Sequence, residues 1–171
     1  MSKTIIDMII SNDIINLEKE FREKPELIND RDECGIDYLM YAVSSYLISE
    51  KTIKLLIRFG ININQLNISN LTALHYSMCN SNMNIINLLL YNGADINRLT
   101  IENKSIYDYI ELWKNYEAYN VIEDYKEDKE ILYKIELLKN IKKGKITIVL
   151  LILDKEIEKF LLSKNYYLYK L

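Results

Sequence analysis

Ile85–Asn97, IINLLLYNGADIN, places Ile85, Ile86, Leu89 and Leu90 on one face of a helix and then breaks the pattern at Gly93. A glycine directly after an apolar-periodic run suits a left-handed helix cap, which favours a residue without Cβ. The stretch also has a copy upstream. Leu55–Asn64, LLIRFGININ, matches Leu88–Asn97, LLLYNGADIN, in its apolar residues, its glycine and its final asparagine, at an offset of 33 residues. Before each copy lies a second matched stretch, Gly35–Ala42 (GIDYLMYA) and Asn70–Ser77 (NLTALHYS), at an offset of 35. The earlier unit therefore carries a two-residue insertion between its paired segments. In the later one Leu74, Ser77 and Met78 share a helix face. Neither short helix of a pair can bury its apolar stripe alone, so neighbouring units must stack.

The unit Asn67–Leu99 resembles an ankyrin repeat. LTALHYS stands where that family has Thr-Pro-Leu-His-x-Ala, with Ala73 at the proline position, and Ile85–Asn97 fits the second helix and closing loop. The unit from Asp32 is similar, with Asp37, Tyr38 and Met40 in place of Thr, Pro and His. Weaker copies flank these two. One has its first helix near Thr4–Ile10 and Pro25–Asn29 as its closing loop. Another runs from Asn103, with Ser105 at the Thr position and a second helix expected near Glu117–Glu123. Leu137–Leu153 resembles the helix-turn-helix centre of a further repeat, with Gly144 in its turn, and Asp154–Asn165 continues as helix. The resemblance implies an all-α ankyrin-repeat solenoid of about four to five stacked helix-turn-helix units with degenerate N- and C-terminal caps. Residues 1–122 hold the repeats (about 4–31, 32–66, 67–99 and 100–122), and 123–171 form a degenerate repeat and helical cap of the same solenoid.

Composition bounds the function. The chain has 171 residues, of which 49% are hydrophobic, with one proline and four glycines, a balance that favours packed helix over tight-turned sheet. Net charge is −3. Residues 1–122 carry 11 basic and 16 acidic side chains, and 123–171 carry 11 and 9, so neither part has the basic field of a nucleic-acid binder. The many Lys, Ile and Asn residues fit an AT-rich genome, which weakens each as a functional signal. The run EDYKEDKE reads as a solvated helix face. Cys34 and Cys79 stand far apart beside a single histidine, His75, which offers no metal site and suits a reducing compartment. The N-terminus lacks the h-region of a signal peptide. The longest apolar run, Ile146–Leu153, is too short to span a membrane. A cytoplasmic chain, monomeric on its own and without cofactor or metal, is expected.

No nucleophile is spaced beside His75, no glycine-rich phosphate loop is present, and the paired carboxylates sit in charged, surface-like stretches. The chain is therefore expected not to be an enzyme, and the resemblance implies a structural His75. It also implies that a protein partner sits on the loop tips and the exposed side of each first helix. Carried over position by position, that surface comprises Ile36, Tyr41, Leu66, Ile68, Leu71, Tyr76, Leu99, Ile101, Lys104 and Trp113, with Cys34, Cys79 and Asn80 beside them. The list is apolar where loop tips are ordinarily polar, as a binding hot spot would be. Tyr41, Tyr76 and Tyr109 align with one another. A stand-alone stoichiometric binder of one protein, of immunity, inhibitor or effector type, is the expected role, ahead of a scaffold joining two partners.

Overall fold

The computed structural model describes residues 4–80 and 82–141, with side chains through Lys134. Among the described residues eight helices follow one another: α1 (Ile5–Ile10), α2 (Ile14–Glu23), α3 (Tyr38–Ser44), α4 (Glu50–Arg58), α5 (Ala73–Ser77), α6 (Met83–Tyr91), α7 (Ile106–Trp113) and α8 (Tyr116–Ile141). A single 3-10 turn, Pro25–Asn29, closes the first pair. The first helices stack in the order α1, α3, α5, α7, and α2, α4 and α6 stack behind them. Residues up to Ile122 form one compact unit and those from Glu123 on form a second, the division falling inside α8.

The repeat is written into the caps. Thr4, Asp37, Thr72 and Ser105 are the N-caps of the four first helices, at the spacings read from the sequence. In three of them the side chain three residues on reaches back to the cap's backbone N–H. Asp7 accepts from Thr4 at 3.0 Å, His75 Nδ1 from Thr72 at 3.2 Å and Asp108 from Ser105 at 2.6 Å. Two orphan donors of each short helix are thereby satisfied, which such brief helices need in order to form at all. Between the rows lies the core: Leu17 and Phe21, Leu39 and Val43, Ile53 and Leu56, Leu74 and Met78, Ile85 and Leu89, all fully buried. Leu74 and Met78, and Ile85 and Leu89, come from the apolar faces predicted for their helices.

The C-terminal part departs from expectation. Instead of a short second helix near Glu117–Glu123, α8 runs unbroken for 26 residues. No glycine or proline interrupts Tyr116–Ile141, and the Lys126–Glu123 and Lys134–Glu130 pairs support its exposed surface. Gly144, the apolar run Ile146–Leu153 and the helix at Asp154–Asn165 lie outside the described residues.

Candidate protein-binding surface

Three loop tips project between successive units: Asp32–Ile36, Asn67–Leu71 and Thr100–Lys104. They are built to one plan. The first residue donates its backbone N–H to the carbonyl of the fifth, at 3.1, 3.1 and 3.0 Å. Its side-chain oxygen accepts from the backbone N–H groups of the third and fifth residues. The fourth residue, Gly35, Asn70 or Asn103, takes a positive φ. Glycine and asparagine are the residues that tolerate that turn, and Asp, Asn and Thr are those whose short polar side chains can hold it.

The tips are then fastened to each other. Ile68 donates its N–H to the carbonyl of Cys34 at 3.1 Å, and Ile101 donates to that of Ser69 at 3.2 Å. These bonds fix Ile68 and Ile101 at matching places on neighbouring tips, with side chains 68% and 64% exposed. Leu99 is exposed on the approach to the third tip, while Leu66, Ile36 and Leu71 are half-buried between tips. Lys104 is exposed but engaged with Glu102 at 2.6 Å.

Behind the tips stand the three aligned tyrosines. Tyr41 donates its hydroxyl to Asp32 at 2.7 Å, and Asn67 donates its side-chain amide to the Tyr76 oxygen at 3.0 Å. Tyr41 and Tyr76 thus brace each first helix against its own tip and keep one edge on the open side. The Tyr41 hydroxyl and the Ile36 and Cys34 amides hold the Asp32 carboxyl below its usual range. Tyr109 packs edge-on against His75, with ring centroids 5.2 Å apart. His75 itself is buried. With Nδ1 accepting from Thr72, its proton belongs on Nε2, which finds no partner in full hydrogen-bonding geometry; the backbone of Arg98 is the group that acts on it. Burial pushes the imidazole below its ordinary pKa, and the hydroxyl within hydrogen-bonding distance of it, Thr72 Oγ1 at 2.9 Å, is the buried cap of the same helix.

Trp113 is 53% exposed but lies at the far end of α7, beside Cys79 and Tyr116, so the structure does not bring it to the tips. Asn80 is not on a free surface: it is 4% exposed and its amide donates to the carbonyls of Val43 and Ser45. Asn115 does the same one unit on, to Met78 and Asn80, and Asn12 ties the first turn to the second through Leu47 and Ser49. These asparagines lock the helix–turn edge, opposite the tips. That edge also carries side chains the sequence reading passed over: Ile15, Tyr46 and Leu47, the last 81% exposed. Tyr46 and Leu47 lie in the short turn between α3 and α4 and Ile15 in the first turn of α2, and that placement was their only sequence signal. Cys34 is an exposed free thiol, and Cys79 a half-buried one whose pKa burial raises. Among the described residues no cluster of ligand side chains could hold a metal, and no helix is long and apolar enough to cross a membrane.

Stacked helix pairs with rigid, bonded loop tips define a repeat module for binding proteins. The family profile described as "Ankyrin repeats (3 copies)" matches residues 5–100, more than half of the chain, and the protein belongs to the ankyrin-repeat family. The family is typically one of non-enzymatic interaction modules. Comparison with curated proteins found no match.

Proposed function

We propose that the chain is a stoichiometric binder of one protein partner, of inhibitor or effector type, acting in the cytoplasm through its loop tips and the open side of its first helices. The observation that carries this reading is the pair Ile68 and Ile101, two large aliphatic side chains held outward by backbone bonds between tips. Water-exposed isoleucines on a rigid frame gain roughly 25 cal/mol for each Å² a partner covers, and the frame loses little entropy in binding. Ile36, Leu66, Leu71 and Leu99 extend the row, with Tyr41, Tyr76 and Lys104 beside it. Trp113 belongs to the same reading at the far end of the open side.

A photo-crosslinking residue at position 68, in cells making the protein, should capture one dominant protein, and the same residue at Ile15 should not. Ile68→Asp with Ile101→Asp should abolish capture while the thermal midpoint stays within a few degrees. Undiminished binding by that folded double variant would sink the tip assignment. The scaffold reading draws on the second apolar edge, at Tyr46 and Leu47. It predicts a second protein lost on Leu47→Glu and kept on Ile68→Asp.

A further inference from the structure

The first tip differs from the others in charge and in the space beside it. Residues 26–37 contain Glu26, Asp30, Asp32, Glu33 and Asp37 against a single Arg31. From Phe59 to Ala94 the chain has no Asp, Glu, Lys or Arg, so the second tip is neutral. At the third, Arg98 pairs with Asp95 and Lys104 with Glu102. The negative field on the tips is therefore confined to the first.

Beside that tip is a half-open cleft of about 250 Å³. This is below the roughly 300–1,000 Å³ of sites that enclose a drug-sized ligand, and suits one long side chain. Ile6 of α1 and Ile36 form apolar walls, and Tyr38 and Tyr41 of α3 contribute rings. Two carboxylates line it as well. Asp32 is fixed by Tyr41 at 2.7 Å and by the Cys34 and Ile36 amides at 2.9 Å each. The Asp30 backbone N–H donates to the Leu27 carbonyl at 3.0 Å, its carboxylate makes no hydrogen bond or ion pair with any described residue, and its charge acts on the Tyr38 hydroxyl. Arg31 also lines the cleft, but its backbone bridges to Asp37 and its charge acts on that buried carboxyl.

We propose that this cleft receives a lysine or arginine side chain of the partner, while the partner's aliphatic residues rest on Ile68 and Ile101. The proposal rests on the reading of the tips as the binding surface and names the chemistry of what binds there. A long basic side chain is the one class that satisfies every wall: its methylene stem lies on Ile6 and Ile36, its cation faces the tyrosine rings, and its N–H groups reach the fixed Asp32 carboxylate and the unbonded one of Asp30. Successive units stack roughly 10 Å apart, a distance that about three residues of extended chain cover. The partner segment then reads as a basic residue followed, or preceded, by aliphatic residues at intervals of about three. An acidic segment is excluded by repulsion at the first tip.

The test needs no native partner. Acetyl-arginine amide titrated into the isotope-labelled protein should move the amide resonances of Asp32, Cys34 and Ile36 saturably, with a dissociation constant on the order of millimolar. Acetyl-citrulline amide, of the same shape without the charge, should leave them in place. Asp30→Asn should weaken arginine binding about threefold, Asp32→Asn at least as much, and Arg31→Ala should strengthen it. Equal shifts with citrulline, or arginine shifts unchanged in Asp30→Asn, would overturn the cleft as a cation site. Either result leaves the crosslinking at Ile68 untouched, so the two readings fail separately.

Discussion

Asp37 occupies a position where the repeat ordinarily has threonine, and the exchange has a cost that can be measured. The carboxylate caps α3 by accepting from the Met40 N–H at 2.8 Å, yet it is almost wholly buried, and desolvation raises its pKa. A carboxyl whose folded pKa lies above the unfolded value helps most when protonated. Its contribution is present at low pH and is lost as pH rises through the folded pKa. Asp37→Thr keeps a capping oxygen without the charge. It should stabilise the protein at pH 7 by on the order of 1 kcal/mol in a urea titration, with the gain shrinking as pH falls through the raised folded pKa and gone below about pH 3.9. Asp37→Ala, which loses the cap, should instead cost about 1 kcal/mol. His75 titrates with the other sign. Burial lowers its pKa, so the unfolded chain takes up the proton first; stability is full above about pH 6.5 and falls as pH drops toward the folded value. As the chain has one histidine, this loss below about pH 6.5 should vanish in His75→Gln, compared by thermal melting.

At the scale of elements, the tips and the helices make different demands. Gly35 has φ +75°, and a Cβ built there would lie 3.1 Å from the Asn67 Cα of the next tip; Gly60, at φ +86°, faces open space. Gly35→Ala should therefore cost more than Gly60→Ala, roughly 2 kcal/mol against about 1, by chemical denaturation. Leu89→Ala, in the buried face of α6, should cost roughly 2–5 kcal/mol through the cavity it leaves. These elements were legible in the sequence because helix periodicity, caps and glycine stops each have a distinctive spacing. The exposed tip residues Ile68, Leu99 and Ile101 were reached through the resemblance to ankyrin repeats, carried over once the register was set. Asn80 was not. An asparagine in an asparagine-rich chain carries no signal of its own, and its bonds reach carbonyls 35 and 37 residues back, which no local pattern encodes. Trp113 falls in register with Asn80, but its indole has no amide to replace the lost bonds. Asn115 takes them over and also caps α8 through the Ala118 N–H, so Trp113 is left at the turn edge, away from the tips. The length of α8 was hidden because an amphipathic stretch continued by charged residues reads equally well as a short helix with a solvated tail.

At the scale of the whole repeat unit, residues 4–122, stability rests on interfaces between neighbours, since no helix pair buries its own apolar face. Each interface is fastened at more than one edge. Between the second and third units the Cys34–Ile68 backbone bond closes the tips, and Asn80 closes the turns. Asn64 then closes the outer loops, donating to Gly93 and accepting from Asp95 of the unit that follows. Asn80 is the one of these fasteners that is fully buried, and its amide serves the carbonyls of Val43, at the end of α3, and of Ser45, which otherwise has the Ile48 N–H at 3.4 Å. Its removal should act on coupling as well as on stability. Asn80→Ala leaves the Val43 and Ser45 carbonyls without their amide, at a cost of about 1–3 kcal/mol, all of it at the junction of units two and three. In a linear array, weakening one junction lets the segments on either side unfold separately, so the urea transition should broaden as well as shift. Hydrogen exchange distinguishes this from uniform destabilisation. The amides of α1–α4 and those of α5–α7 should acquire different opening free energies in Asn80→Ala, where the unaltered protein gives one. An equal drop across all helices would mean that the turn-edge asparagines add stability without transmitting it between repeats. The tips, and with them Ile68 and Ile101, would then owe their fixed spacing to the backbone bonds alone.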